Sequence, residues 1–164
     1  MQKKELVITT AVLLVLGTSM HFVHHLPFFG HVMGWIFPVN ECVWEHMKMI
    51  FYPSVLLALY MWISRKEIGR ITGPIAAGLV GFPLAQALFY VYQPITHHSV
   101  LLIDIIAYII EVIVCVYLGQ RWSGSEKLKK MWPLAIVVAL FMAVLLGWLS
   151  YHAPDMFLFE IEEE

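Results

Sequence analysis

The run PVNECVWEHMK, Pro38 to Lys48, sets two glutamates, a histidine, a lysine and an asparagine directly before MIFYPSVLLALYMWI, Met49 to Ile63, a stretch fit for lipid. A charged side chain well inside a bilayer costs about 2.5 to 3.5 kcal/mol on insertion scales. A spanning helix that begins in this way must turn its polar groups towards partners, and that requirement organises the rest of the chain.

Composition identifies the solvent. Of the 164 residues, 60% are hydrophobic and 13% charged, and the mean hydropathy is strongly positive. Soluble domains carry about half apolar and a quarter charged residues, so an ordinary soluble fold is excluded and no nucleic-acid partner is expected. Crossing a hydrocarbon core of about 30 Å takes about 20 apolar residues, and such stretches lie at Leu6 to Val23, Val43 to Ile63, Ile71 to Tyr92, Val100 to Leu118 and Met131 to Ser150. Lipid satisfies no backbone groups, and unbroken apolar runs are helical rather than barrel-forming. The expected fold is all-α: one domain, an integral membrane bundle of five transmembrane helices. Lysines precede the first run, but no small-x-small cleavage site follows LVITTAVLLVLG, so it reads as a retained helix rather than a signal peptide. Pro53, Pro74 and Pro83 fall inside or near the starts of helices and predict kinks.

Lys3, Lys4, Arg65, Lys66, Arg70, Arg121, Lys127, Lys129 and Lys130 all fall on one side of the bundle when the helices alternate in direction. The positive-inside rule makes that side cytoplasmic. The expected topology has the N-terminus inside and the C-terminus outside, in the cell (cytoplasmic) membrane. His21, His24, His25, His31, His46, His97, His98 and His152 then all lie at the outer face, with Glu41, Glu45, Asp104 and Asp155 near them and Glu111 deeper.

Helical spacing aligns these groups. Glu41, Glu45, Lys48 and Tyr52 form one stripe on the second helix; Asp104, Tyr108, Glu111 and Cys115 form another on the fourth. Gln86, Tyr90 and Gln93 do so on the third helix, and Thr18, His21 and His25 share a face of the first. The stripes converge on a polar cavity open to the outside. Asn40 is placed as the N-cap of the second helix.

His21 and His25, at i and i+4, can reach one metal ion from a single helix face. His98, Asp104, His152 and Asp155 are the candidates to complete a three-ligand site with one position left for water, and zinc suits that mixture best. Glu41, Glu45, His46 and Lys48 make up the candidate catalytic set, with Glu41 or Glu45 as the base for the bound water. Lys48 also reads as the counter-ion of one of these glutamates. His24, His31 and one of the pair His97 and His98 read as interfacial side chains. Cys42 and Cys115 lie too far apart to form a disulfide.

On SMHFVHH, PVNECVWEHMK and HHSVLLID, the chain resembles a family of small uncharacterised bacterial multi-pass membrane proteins. In that family a histidine near the end of the first helix precedes a PVNExxWEHxK signature. The resemblance implies the membrane fold and the importance of His21, Asn40, Glu41, Trp44, Glu45, His46 and Lys48, but no reaction. It is loose over YHAPDMFLF, which contains His152 and Asp155. Metal-dependent membrane hydrolases such as the ceramidase and progestin-receptor-like superfamily also use scattered histidines with an aspartate; they have seven helices, and their motifs are absent here.

Two functional classes follow. One is a membrane-embedded zinc-dependent hydrolase acting on a lipid or peptide, or another small molecule, at the outer leaflet. The other is a metal-ion or proton binding or transport protein that uses the same cluster, with Glu111, Lys48 and Tyr52 as the path below it. A b-type cytochrome with two axial histidines is disfavoured by the acidic residues crowding them.

Overall fold

A computed structural model describes residues 3–23, 31–96 and 99–160, and every regular element among them is helical. The α-helices are α1 (Lys3–Val23), α2 (Val43–His46), α3 (Lys48–Arg65), α4 (Thr72–Thr96), α5 (Leu101–Trp122), α6 (Glu126–Lys129) and α7 (Trp132–Leu149). Single 3-10 turns occupy His31–Trp35, Ile68–Ile71 and Phe157–Phe159. Five stretches are long and apolar enough to cross a membrane: Lys3–Val23, Val43–Arg65, Ile68–Thr96, Leu101–Trp122 and Trp132–Leu149. These are the five runs expected from the sequence, with each end within four residues of its expected place. Five such helices are consistent with a multi-pass membrane protein, and exposed side chains on them are apolar, as at Val7, Val15, Leu140, Phe141 and Val144.

The second span is interrupted at Met47. Its φ of −55° and ψ of −32° remain right-handed helical, and its N–H bonds to the Trp44 carbonyl at 3.2 Å, three residues back rather than four. The interruption is therefore one of hydrogen bonding, not of backbone conformation.

α3 is the central helix because it supplies all three core clusters. Ile50, Leu57 and Met61 pack with Leu13 of α1 and Val112 and Val116 of α5. Phe51 packs with Trp44 of α2 and Leu146 of α7. Ala58 packs with Ile75 of α4 and Ala135 of α7. Lipid tails are as apolar as these side chains, so what holds the helices is close packing rather than exclusion from water.

Gly17 shows how close the packing is. Pro53 has no N–H to offer the Met49 carbonyl one turn earlier in α3, and α1 passes directly over that carbonyl at Gly17. A Cβ there would stand 2.7 Å from the Met49 oxygen and collide with the Tyr108 hydroxyl. With Leu13 and Met20, Gly17 forms the buried face of α1. His21 lies one turn further along that helix, so the contact at Gly17 sets how near His21 comes to α2 and α3.

At one end of the bundle, ion pairs join the charged links: Arg65 to Glu5 at 3.1 Å, Arg70 to Glu67 at 2.7 Å and Lys129 to Glu67 at 2.8 Å. The far end gathers His21, Glu41 and His46.

Candidate metal centre

Three segments supply this end. His21 stands in the last turn of α1, Glu41 lies in the bend before α2, and His46 is the last residue of α2. Glu41 bridges the two rings: one carboxylate oxygen is 3.6 Å from His21 Nε2 and the other 3.5 Å from His46 Nε2. The ring centroids are 5.4 Å apart, and one ligand atom from each residue lies within 4.8 Å of the others. Direct N–H···O bonds run from about 2.7 to 3.2 Å. Neighbouring ligands on a tetrahedral zinc with bonds of about 2.0 Å stand about 3.3 Å apart. The spacing at Glu41 is thus nearer to that of co-ligands than to that of closed hydrogen bonds. All three side chains are partly exposed.

The His46 ring is oriented from behind. Its Nδ1 meets the Cys42 carbonyl at 3.0 Å. A carbonyl can only accept, so Nδ1 carries a proton; in the neutral ring Nε2 then presents its lone pair to Glu41. Metal-ligating histidines are held in this way. A lone pair facing a carboxylate is repulsive unless a proton or a cation lies between them. With both rings neutral the group has a net charge of −1, which suits a divalent cation. Burial pushes the Cys42 thiol up, keeping it protonated, so Cys42 offers no thiolate despite its place beside Glu41.

The other acidic group of the signature has a different environment. Lys48 and Glu45 are buried, at 0% and 1% exposure, and their charged atoms meet at 2.6 Å. The ammonium also donates to the Gly34 carbonyl at 2.6 Å, the Ser150 hydroxyl at 2.6 Å and, at a longer 3.2 Å, the Phe37 carbonyl. Glu45 accepts from the Val39 N–H at 2.8 Å and from Ser150 at 2.6 Å. Tyr52 donates to the Trp35 carbonyl. These bonds fix residues 34–39, the approach to Glu41, between α3 and the end of α7. The two glutamates therefore do different work: Glu45 is locked in the interior while Glu41 faces the histidines.

Asn40 does not cap α2. Cys42 is the N-cap and no side chain caps it; the Asn40 side-chain oxygen instead accepts from the Cys42 N–H at 3.0 Å. Asparagine prefers this local turn, which competes with helix capping. The expected stripe is also shortened, since Glu41 precedes the helix that carries Lys48 and Tyr52.

The remaining candidates are spread out. Asp104, in the first turn of α5, accepts from the Tyr92 hydroxyl and lies within electrostatic reach of His46. His152 is exposed, stacked on Trp148 with centroids 3.9 Å apart, its Nδ1 on the Trp148 carbonyl at 3.1 Å. It takes no part in the three-residue group. His25 and His98 lie outside the described residues, as do His24 and His97. Glu111 is buried in α5, seven residues deeper than Asp104, beside Gly81 of α4. Ser150, Tyr92 and the Gly34 and Phe37 carbonyls were not singled out from the sequence. A serine at the very end of an apolar run was the only signal available.

A family model described as "Family of unknown function (DUF6512)" matches residues 1–163. The chain belongs to that family. No curated protein and no solved structure matches it. The match spans all the described residues, and the chemistry of the site has to be argued from its residues.

Proposed function

We propose that the protein binds a divalent cation, zinc by the chemistry of its donors, through His21, Glu41 and His46, and that it is a membrane-embedded hydrolase. The observation that carries this reading is the meeting of three ligand atoms from separate segments within 4.8 Å. Three protein ligands and an open position are the pattern of catalytic rather than closed structural zinc. Zinc there would lower the pKa of a bound water towards neutrality. Asp104, which accepts from Tyr92 and influences His46 electrostatically, would be the carboxylate to accept the proton, since Glu45 is engaged by Lys48. The partial exposure of the group at the end of a lipid-facing bundle favours a substrate reached from the membrane surface, a lipid or a peptide. By the distribution of basic residues, that surface is the outer one.

A second reading is favoured by Glu111. A buried carboxyl well below the cluster is costly in a membrane and marks a path for ions or protons by default. On that reading the cluster is an entry site for a metal ion or proton. Elemental analysis of detergent-purified protein tests the shared claim: about one zinc per chain supports it, and none at micromolar zinc refutes it. Hydrolysis of lipid or peptide substrates by zinc-loaded protein, against zinc or proton flux in sealed vesicles, separates the two readings.

A further inference from the structure

Behind the cluster, two hydrogen bonds link Asn40 to His46 through the Cys42 backbone. The Asn40 side-chain oxygen accepts from the Cys42 N–H at 3.0 Å. The Cys42 carbonyl accepts both from His46 Nδ1 at 3.0 Å and from the Glu45 N–H at 3.1 Å, which uses both of its lone pairs. Cys42 is extended, with φ −73° and ψ 153°, and its peptide groups are thus tied on both sides.

We infer that Asn40 is a positioning residue: it fixes the Cys42 backbone so that the Cys42 carbonyl selects the Nδ1–H tautomer of His46 and aims the Nε2 lone pair at Glu41 and His21. The choice of tautomer matters because a neutral imidazole has one lone pair. If the proton moves to Nε2, the ring faces the site with a donor and cannot ligate a cation there. Outer partners of this kind typically govern metal affinity by about 10- to 100-fold. A local side-chain acceptor two residues from its donor is a geometry that asparagine and aspartate share and that alanine and leucine lack.

The inference rests on the proposed metal site only in its effect on affinity; the contact of His46 Nδ1 with the Cys42 carbonyl is present without metal. The test uses nitrogen NMR of the His46 ring in full-length, metal-free protein in detergent, at about pH 8.5 where an ordinary histidine is neutral. The wild type should give the Nδ1–H pattern. Asn40→Ala and the larger Asn40→Leu should give a mixture of tautomers, and Asn40→Asp, which keeps the acceptor oxygen, should restore the wild-type pattern. In zinc titrations the first two variants should bind about 10- to 100-fold more weakly and Asn40→Asp close to wild type. Wild-type nitrogen shifts in Asn40→Leu or Asn40→Ala would overturn the inference. A tautomer change in a protein that binds no zinc at all would uphold it while removing the metal reading.

Discussion

The Lys48 ammonium and the Glu45 carboxylate meet at 2.6 Å with both side chains shut off from solvent. Removing one partner of a buried pair leaves an uncompensated charge, which costs about 3 to 5 kcal/mol, whereas replacing both by apolar groups is often near neutral. We expect Lys48→Met to destabilise the bundle by about that amount. The double change Lys48→Met with Glu45→Leu should recover much of the loss. Reversible unfolding in mixed micelles measures both; equal losses in the single and double variants would mean that the carbonyls around Lys48 matter more than Glu45.

His21→Ala should reduce zinc content at least about tenfold, the scale of losing a direct ligand or its support, with little change in unfolding, because α1 is held by Leu13, Gly17 and Met20. His152→Ala, whose ring stacks on Trp148 away from the cluster, should retain the metal. Retention of metal by both variants would remove His21 from the site.

At Gly17 a side chain has no room against the Met49 carbonyl and Tyr108. Gly17→Leu should push α1 outward and withdraw His21, lowering metal affinity and stability together. Overpacking of this kind typically costs about 1 to 3 kcal/mol. A cysteine cross-link assay between α1 and α3 should show the widened spacing; an unchanged rate would place the close approach elsewhere.

Topology is open to a direct test. A reporter active only in the cytoplasm, fused after Glu164, should be silent and the same reporter before Met1 active, as nine basic residues at one end require. Activity after Glu164 would reverse the bundle and put the cluster at the inner face.

The opposite end carries a pH dependence of known sign. Hydrogen bonds from Lys129 first, and then from Arg70, hold the Glu67 carboxyl below its ordinary range. A depressed carboxylate contributes stability that is full above the unfolded-state pKa and fades as pH falls through the folded one. Glu67→Gln should therefore be less stable than wild type at neutral pH, with the gap closing below about pH 4. Thermal unfolding across pH reads the difference, and a gap that widens on acidification would contradict the pairing.

The five spans were legible because twenty apolar residues have few other uses. Glu45 and Lys48 were legible too, since three residues apart on a helix is contact distance. The grouping of His21 with His46 was not. Spacing favoured His21 with His25 on one helix, but His46 meets His21 only because α1 packs closely on α3 at Gly17 and residues 34–39 are folded back by Lys48. Backbone acceptors such as Gly34, Phe37 and Cys42 carry no mark in a sequence. Asn40 was read as a cap because a cap and a local turn use the same residue type, and only the hydrogen-bond partner distinguishes them.

Ser150, which bonds to Lys48, stands 102 residues after it. A ribosome therefore releases the second span long before the group that completes its charged interior exists. Through most of synthesis Lys48 and Glu45 lack their hydroxyl partner, and the wall that Leu146 and its neighbours on α7 provide is absent. A chain halted before Trp132 would carry the Lys48–Glu45 pair without the Ser150 hydroxyl that bonds both partners. The Lys48 end of the second span is thus sealed only once Ser150, at the end of α7, is in place.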